Sequence, residues 1–355
     1  MINLDNAANT PVCNAARQAY LDALRFGNPS SLHKLGRAAN DGLKEARGVL
    51  QKELDSEHVV FTSGGTESIN LAIRGTAEVF AKMKKHIVAT TFEHPATVNT
   101  LSALKAKGFT FSEVPPRADG RIHPEDIAAA VTEETFLVTA AQVGGETGSL
   151  LDVETLAGLL RERDVLLHVD AAQSFLKFPI SIKHADLISV SGHKNNAPMG
   201  VGALAVSPRV RLVPQITGGG QQDGVRGGTE ALPSVMAYAA AVRDWTPIDP
   251  GLTELAAGRL TEAGWTVIPA HDAPILSAAY PGIRGEVMIR MLSDKGVMVG
   301  SGSACSRGKK SAALLSMKLP AWVPDSVIRL SFSRYTTMDE LDKALEIIIR
   351  TAKNP

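Results

Sequence analysis

Apolar positions along the chain follow two different periods between residues 14 and 245. In four long segments they return every three or four positions, as on one face of an amphipathic helix. These predicted helices are Ala15–Phe26, Ala38–Leu54, Glu67–Met83 and Val153–Arg163. Short apolar runs typical of strands lie between them. These predicted strands are His58–Thr62, His86–Thr90, Thr135–Ala140, Val165–Val169, Leu187–Val190 and Ala203–Val206.

The alternation of strands and helices predicts the fold class. Since βαβ units pack helices on both faces of parallel strands, we expect an α/β protein with a mostly parallel sheet between helices. The pattern changes after Trp245–Gly251, where two prolines and a glycine predict a linker. We therefore predict a large domain of residues 14–248 and a small α+β domain made of residues 1–13 and 249–355.

Composition and charge narrow the class of protein. The chain has 37 basic and 37 acidic residues, so no net charge attracts it to nucleic acid or to an anionic membrane. It shows no apolar run long enough to span a membrane, and its start lacks the basic and apolar stretches of a signal peptide. Its two cysteines, Cys13 and Cys305, cannot form a disulfide framework. We expect a cytoplasmic protein without a nucleic-acid or membrane partner.

A lysine and an aspartate follow two successive predicted strands. Asp170 comes directly after Val165–Val169, and Lys194 ends the segment Ser191-Gly192-His193-Lys194 after Leu187–Val190. The carboxyl ends of parallel strands meet at one edge of a sheet, so these side chains should lie close together. A lysine binds the aldehyde of pyridoxal 5'-phosphate (PLP), and an acid keeps its pyridine nitrogen protonated. The pair predicts a PLP enzyme.

Two more clusters follow predicted strands, and each has a simpler alternative. The segment Thr62–Glu67 contains two glycines and a helix start, which favour phosphate binding but also suit a tight turn. His94, in Glu93-His94-Pro95, suits stacking on a cofactor ring and proton transfer, or is a turn residue before proline. Together with Asp170 and Lys194, both clusters favour a PLP site.

Cys305 lies in Gly300–Lys310, a segment rich in small residues that predicts a mobile loop. Nearby cations favour the reactive thiolate form of a cysteine. Those cations are Arg307, Lys309 and Lys310. An inert loop cysteine is the alternative. Cys13, at the apolar start of a helix, is expected to pack in the core, and His168 to lie on a strand face two residues before Asp170.

The sequence resembles the cysteine desulfurases of the NifS type, in the class V aminotransferase family of fold-type I PLP enzymes. The likeness extends from Leu4 nearly to the C-terminus and lies in segments that follow in the same order. These segments are Leu4–Ala8, Phe26–His33, Thr62–Glu67, Glu93–Pro95, Val169–Gln173, Ser191–Lys194, Gly218–Gln221, Gly228–Glu230 and Ser301–Cys305. The resemblance implies the fold-type I architecture, PLP as cofactor, L-cysteine as substrate and a homodimer.

The resemblance also implies roles for cofactor-binding residues. Lys194 would hold PLP covalently and shuttle protons, and Asp170 would pair with the pyridine nitrogen. Gln173 would bond to the ring hydroxyl, and His94 would stack on the ring as a further catalytic residue. The implied phosphate-binding residues are Gly65, Thr66, Ser191 and His193, with Thr229 contributed by the other subunit. No metal ligand is implied.

On the substrate side, two residues match the family. Arg329, in Ile328-Arg329-Leu330-Ser331-Phe332, matches the arginine that binds the substrate carboxylate, a task suited to a bidentate guanidinium. Cys305 matches the nucleophile that takes the substrate sulfur as a persulfide, leaving L-alanine. The sulfur would then pass to an acceptor protein for iron–sulfur cluster or thio-cofactor assembly.

The chain departs from the family pattern in three places. Gly144-Gly145 stand where the family usually has Asn-Asn, and loss of one or two hydrogen bonds would weaken substrate orientation by about 1–3 kcal/mol. Ala197–Gly200 lacks the usual lysine, and Lys309–Ala313 replaces the usual Pro-Ser-His stretch. Two alternatives therefore stay open. One is a PLP-dependent C–S or C–Se lyase or aminotransferase that does not use Cys305, and the other is a catalytically weakened binding subunit.

Overall fold

Two β-sheets organise the chain. A computed structural model describes residues 1–301 and 311–354, and Cys305 lies outside them. The strands are β1 (Ile2–Leu4), β2 (His58–Thr62), β3 (His86–Thr90), β4 (Thr110–Val114), β5 (Thr135–Ala141), β6 (Leu166–Asp170), β7 (Leu187–Ser191), β8 (Gly202–Val206), β9 (Thr266–Val267), β10 (Ile275–Ala279), β11 (Val297–Ser301) and β12 (Val327–Ser331). The predicted strands are confirmed to within one residue at each end.

Helices pack on both sheets. They are α1 (Asn14–Ala23), α2 (Lys34–Leu54), α3 (Gly65–Phe80), α4 (Pro95–Lys105), α5 (Pro124–Ala129), α6 (Val153–Leu160), α7 (Leu232–Arg243), α8 (Gly251–Glu262), α9 (Gly285–Asp294), α10 (Ala312–Ser316), α11 (Val323–Ser326) and α12 (Met338–Lys353). The four predicted helices are confirmed, with bounds that shift by up to four residues. In the large domain, α4, α5, α7 and the strand β4 were not among the predicted elements.

The large sheet has seven strands in the order β2-β8-β7-β6-β5-β3-β4. Neighbours from β7 to β4 pair in parallel, and only β8 runs antiparallel to its neighbours β7 and β2. The expectation of a mostly parallel sheet is therefore confirmed. This order brings the carboxyl ends of β2, β3, β5, β6 and β7 to one edge of the sheet.

The small sheet has five strands in the order β1-β11-β12-β10-β9 and its own buried core. β1, at the start of the chain, pairs in parallel with β11, so the N-terminus lies in the sheet of the C-terminal part. The segment after β1 then passes to the large sheet, where the Thr10 amide donates to the His193 carbonyl at 2.9 Å. The exact domain boundaries at residues 13 and 248 stay a prediction.

Local caps explain why helix bounds differ from the apolar periods. α2 begins four residues before the predicted start because His33 Nδ1 accepts a hydrogen bond from the Gly36 amide at 3.3 Å. It ends at Leu54, before the C-cap residue Asp55, which adopts a left-handed conformation with φ of 53°. The apolar stripe shows where a helix is buried, whereas these polar contacts decide where it starts and stops.

Two buried histidines cross-link the parallel strands of the large sheet. His168 on β6 bonds Thr139 on β5 at 2.8 Å and Ser189 on β7 at 2.9 Å. His86 on β3 bonds Thr135 on β5 at 2.8 Å and Ser112 on β4 at 2.9 Å. Burial lowers the pKa of both imidazoles, that of His168 to about 3, so both are neutral near pH 7. They tie five adjacent strands together.

No helix among residues 1–301 and 311–354 is long and apolar enough to cross a membrane. In the same residues, no three His, Cys, Asp or Glu side chains gather in a way that could hold a metal ion.

Candidate active site

The candidate site lies at the carboxyl edge of the large sheet. β6 ends at Asp170, and β7 leads directly through Ser191 to Lys194. β3 is followed by His94 and β2 by the glycine turn at Gly64. Ligands of open α/β sheets bind at this edge, and the structure brings the predicted residues to it.

Asp170 provides a buried carboxyl group. Its side chain is almost fully buried, and its Oδ1 accepts a hydrogen bond from the Ala172 amide at 2.9 Å. Burial raises the pKa of this carboxyl, while the charges of His94 and Lys194 act in the opposite direction. A cationic partner placed against Asp170 would favour its ionised form.

The Lys194 amine contacts the segment that follows β1. Its Nζ donates to the backbone carbonyls of Ala7 at 2.5 Å and Ala8 at 2.8 Å. The Ala7 carbonyl also accepts a hydrogen bond from Gln173 Nε2 at 2.9 Å. The chain's N-terminal segment therefore holds two of the predicted site residues in place.

His94 caps helix α4 on the open side of the site. Its Nδ1 accepts a hydrogen bond from the Ala96 amide at 3.1 Å, which leaves Nε2 as the protonated nitrogen of the neutral ring. Desolvation lowers the pKa of His94 most, and Lys194 adds to this while Asp170 opposes it. A neutral ring is suited to stack on an aromatic cofactor.

Glu93, the neighbour of His94 in the chain, had no role in the sequence analysis. Its buried Oε1 accepts hydrogen bonds from Thr90 Oγ1 at 2.6 Å and from the Ala141 amide at 2.9 Å, which links the ends of β3 and β5. Burial raises the pKa of Glu93 to about 8, with the Asp170 charge contributing. The hydrogen bond between Glu93 and Ala141 joins residues 48 positions apart, so only the structure reveals it.

Lys177 is a second residue that the sequence analysis did not single out. Its Nζ donates to the backbone carbonyl of Lys194 at 3.3 Å and lies 5.7 Å from the ring centre of Trp245. Burial lowers the pKa of Lys177 to about 7, and the nearby charge of Lys194 adds to this shift. Lys177 thus contacts the catalytic candidate from its backbone side.

The start of α3 is an open helix N-terminus beside Ser191 and His193. Gly64 caps the helix without a side chain at φ of 151°, and a Cβ added there would meet no atom within 4 Å. The Gly65 amide donates to Ser191 Oγ at 3.3 Å, and Ser191 Oγ bonds His193 Nδ1 at 2.9 Å. Thr66 is exposed beside them. This open space at a helix N-terminus suits a phosphate.

His193 and Thr229 differ in their burial and in their contacts near the start of α3. Burial lowers the pKa of His193 to about 4, with the charges of Lys194 and His94 contributing, so its ring is neutral near pH 7. Thr229 lies exposed on a segment tied to α3 by the ion pair between Arg226 and Glu67 at 2.9 Å. Its predicted role involves a second subunit and stays a prediction.

Arg329, on β12, brings a buried cation from the small sheet to the site. One terminal nitrogen donates to Asp5 Oδ1 at 2.9 Å and the other to the Gly145 carbonyl at 2.9 Å. Its Nε is buried without a hydrogen-bond partner among the described residues. A guanidinium with donors to spare can bind a carboxylate.

The two glycines after β5 differ in the space around them. A Cβ at Gly144 would lie 2.9 Å from Thr147 Oγ1 and 3.2 Å from the Phe92 ring. A Cβ at Gly145 would lie 3.8 Å from Gln173 Cγ, which is an ordinary contact. The missing side chain at 145 therefore leaves room beside Gln173, whereas position 144 has none.

Glu146 follows these glycines and faces Arg329. Burial raises the pKa of its carboxyl to about 6, while a hydrogen bond from Ser311 Oγ and the charge of Arg329 act in the opposite direction. Ser311 is the first described residue after the segment that contains Cys305.

Cys13 is buried at the start of α1, where its Sγ accepts a hydrogen bond from the Ala16 amide at 3.4 Å. Burial raises the pKa of the Cys13 thiol, as expected for a packing residue.

Comparison with known proteins decides the family. Residues 2–344 match the family model described as Aminotransferase class-V. The chain belongs to the class-V aminotransferase family. Members of this family use PLP, and the fold-type I architecture implied by the resemblance is confirmed.

Cysteine desulfurases are among the relatives of this class-V aminotransferase. It is 34% identical to a NifS/IcsS protein homolog from Lactobacillus delbrueckii subsp. bulgaricus, over 97% of this chain and 95% of the relative. It is 34% identical to the cysteine desulfurase IscS of Shewanella baltica, over 99% and 92%. A solved NifS-like protein matches with a TM-score of 0.91 at 30% identity over 99% of both chains.

A further solved structure is described as SspA in complex with cysteine. It matches with a TM-score of 0.84 at 29% identity, over 95% of this chain and all of that chain.

The described residues fit PLP. A lysine amine, a buried carboxyl and an open helix N-terminus lie at the carboxyl ends of β7, β6 and β2, and these are the three features that an aldehyde, a pyridine nitrogen and a phosphate need.

Proposed function

We propose that this protein is a PLP-dependent cysteine desulfurase that converts L-cysteine to L-alanine and takes the sulfur as a persulfide on Cys305. The observation that carries the proposal is the position of two cations on one short segment. Lys194 donates to the carbonyls of Ala7 and Ala8, and Arg329 donates to Asp5. Because Asp5 and Ala8 are three positions apart, a stretch of chain at most about 10 Å long, one short segment holds both cations at the same site.

The cofactor roles follow from the contacts at the sheet edge. Lys194 would hold PLP covalently, Asp170 would bind its ring nitrogen, and Gln173 would bond to its hydroxyl, while His94 stacks on the ring. The residues that would bind its phosphate are Gly65, Thr66, Ser191 and His193, with Thr229 of the partner subunit. When bound, PLP supplies an electron sink that makes the α-proton of an amino acid acidic.

The residues of the chain would then bind the substrate and move its protons. Arg329 would bind the carboxylate through the N–H donors that Asp5 and Gly145 leave. Lys194 would remove the proton at the substrate α-carbon and return it, and the neutral His94 would assist proton transfer at the substrate sulfur.

Sulfur transfer would occur at Cys305. Its thiolate attacks the substrate sulfur, an S–S bond forms and the Cβ–S bond breaks with its electron pair left at Cβ. A proton replaces the sulfur there, so that L-cysteine and a protein thiol give L-alanine and a protein persulfide. An acceptor protein would then take the sulfur for iron–sulfur cluster or thio-cofactor assembly. The cysteine bound in the SspA structure supports L-cysteine as substrate.

A homodimer is supported by exposed leucines around α1 and the start of α2. Leu21, Leu24, Leu32 and Leu35 each expose more than half of their surface. A group of exposed large apolar side chains indicates a surface that a partner covers, and a second copy is the commonest such partner. The partner's Thr229 would complete the phosphate site.

A second candidate is a PLP-dependent lyase or aminotransferase that does not use Cys305. The open space at Gly145 favours it, because a substrate held by fewer contacts is oriented less strictly. A catalytically weakened binding subunit is the remaining alternative.

The fate of the sulfur separates these functions. Purified protein incubated with L-cysteine should gain the mass of one sulfur atom, and reductant should remove it. Cys305→Ala should lose this mass gain, whereas Cys13→Ala, which changes the buried cysteine, should keep it. A mass gain that survives in Cys305→Ala, or none in the wild type, would contradict desulfuration through Cys305.

A further inference from the structure

Arg329 already has a carboxylate partner within the chain. Its terminal nitrogen donates to Asp5 Oδ1 at 2.9 Å, and the two residues lie 324 positions apart. The Arg329 side chain is 5% exposed and that of Asp5 30% exposed. Asp5 is therefore the partly exposed member of an ion pair whose cation is buried.

The backbone around this ion pair leaves room for it. Gly300 on β11 lies opposite Arg329 in the sheet. A Cβ added to Gly300 would lie 2.5 Å from Asp5 Oδ1 and 2.8 Å from the Arg329 terminal nitrogen. Real Cβ atoms do not approach so closely, so a glycine at 300 is needed for the pair to form as it does.

Two other groups near Arg329 show why Asp5 is the partner that matters. The Gly145 carbonyl accepts from the other terminal nitrogen at 2.9 Å but carries no charge. Burial raises the pKa of Glu146 and the charge of Arg329 opposes this shift, but the Glu146 carboxylate accepts its hydrogen bond from Ser311 Oγ. Asp5 is thus the carboxylate that directly hydrogen-bonds the guanidinium among the described residues.

We propose that Asp5 is a permanent counter-ion that positions Arg329 and lowers the affinity of Arg329 for the carboxylate of an amino acid. A buried guanidinium without any carboxylate is costly, so Asp5 stabilises the site when no amino acid is bound. The same negative charge repels an arriving carboxylate, since both interact with one cation at close range. Asp5 thereby limits affinity and eases release of the amino-acid product.

This inference rests on the proposed function, in which Arg329 binds the substrate carboxylate. It predicts opposite effects of one substitution on stability and on affinity. Asp5→Asn keeps the size and an acceptor oxygen for Arg329 but removes the charge. The unliganded protein should therefore melt at a lower temperature, while L-alanine should bind about fivefold more tightly.

The experiment titrates PLP-loaded protein with L-alanine, followed by the absorbance of the bound cofactor and by the shift in melting temperature. Asp5→Glu keeps the charge and should bind L-alanine no more tightly than wild type. Asp294→Asn removes an exposed carboxylate at the end of α9 and should change nothing. Asp5→Ser, a second neutral variant, should also bind more tightly and serves if Asp5→Asn does not fold.

Two results have different meanings. If wild type binds L-alanine and both neutral variants bind it equally or more weakly, Asp5 is only structural and the inference is wrong. If the PLP-loaded wild type binds neither L-alanine nor L-cysteine, the proposed function fails and the inference fails with it.

Discussion

The two halves of the candidate site are built in different ways. The cofactor half consists of strand ends of one mostly parallel sheet, where Asp170 ends β6 and Lys194 follows β7. The carboxylate half is assembled across the two sheets, with Arg329 from β12 held by Asp5 after β1 and by the Gly145 carbonyl after β5. The first half keeps the cofactor-binding residues that the family resemblance implies but lacks the usual lysine in Ala197–Gly200, and the second keeps Arg329 but contains the glycines that depart from the family pattern. We therefore expect substitutions in the two halves to affect cofactor binding and substrate binding separately.

Replacing Lys194 should break the cofactor half and produce the largest effect. Lys194→Ala removes the amine that would hold PLP and move protons, so turnover of L-cysteine should fall by about 10³-fold or more. Borohydride treatment followed by intact-mass measurement should show one bound cofactor in wild type and none in the variant. Lys183→Ala, at an exposed lysine, is the control. Retention of covalent cofactor in Lys194→Ala would place the attachment elsewhere.

Replacing Arg329 should damage only the carboxylate half. Arg329→Lys loses the planar fork of donors, and KM for L-cysteine should rise by about 10-fold to 100-fold. The absorbance of bound cofactor should stay as in wild type, since no cofactor contact is lost. Arg290→Lys, on the exposed face of α9, provides the matched control. A variant that loses the cofactor as well would show that the halves are coupled.

Restoring a side chain at Gly145 should sharpen the contrast between the halves. Gly145→Asn places an amide in the space beside Gln173, and KM for L-cysteine should fall by about threefold to tenfold. Gly144→Asn is the matched control, because its Cβ would press on Thr147 Oγ1 and Phe92 and lower the melting temperature. Equal effects of the two substitutions would contradict this assignment.

Lowering the pH should reduce the stability of the large sheet through the buried His168. This is the smallest of the expected effects. The pKa of His168 is about 3 in the folded protein and higher in the unfolded chain, so the unfolded chain binds protons more readily. Stability from this residue is complete above about pH 6.5 and is lost as the pH falls towards 3. His168→Asn should flatten the fall in melting temperature over this range. An unchanged slope would mean that other groups govern acid unfolding.

The cofactor half was largely predictable from the sequence. Asp170 and Lys194 follow apolar runs that are short, β-branched and clearly bounded, and the edge rule for parallel sheets places their side chains together. Helix α4 was not predicted because its buried face includes Thr97 and Thr100 among the apolar residues, which weakens the helical period.

The carboxylate half was less predictable because its contacts cross the whole chain. Asp5 and Arg329 meet only because β1 joins the small sheet beside β11. Glu93 likewise accepts a hydrogen bond from the Ala141 amide on a neighbouring strand. Local periodicity contains no information about such pairs. The space at Gly145 also depends on where Gln173 lies.

The most direct test of the account is the product formed from L-cysteine in a single turnover with excess PLP-loaded protein. The account predicts about one L-alanine per L-cysteine consumed and no pyruvate, because both halves of the site act on the same amino acid and sulfur leaves without loss of the amino group. Pyruvate in place of alanine would show a lyase, and bound cofactor with no product at all would show that the carboxylate half no longer supports desulfuration.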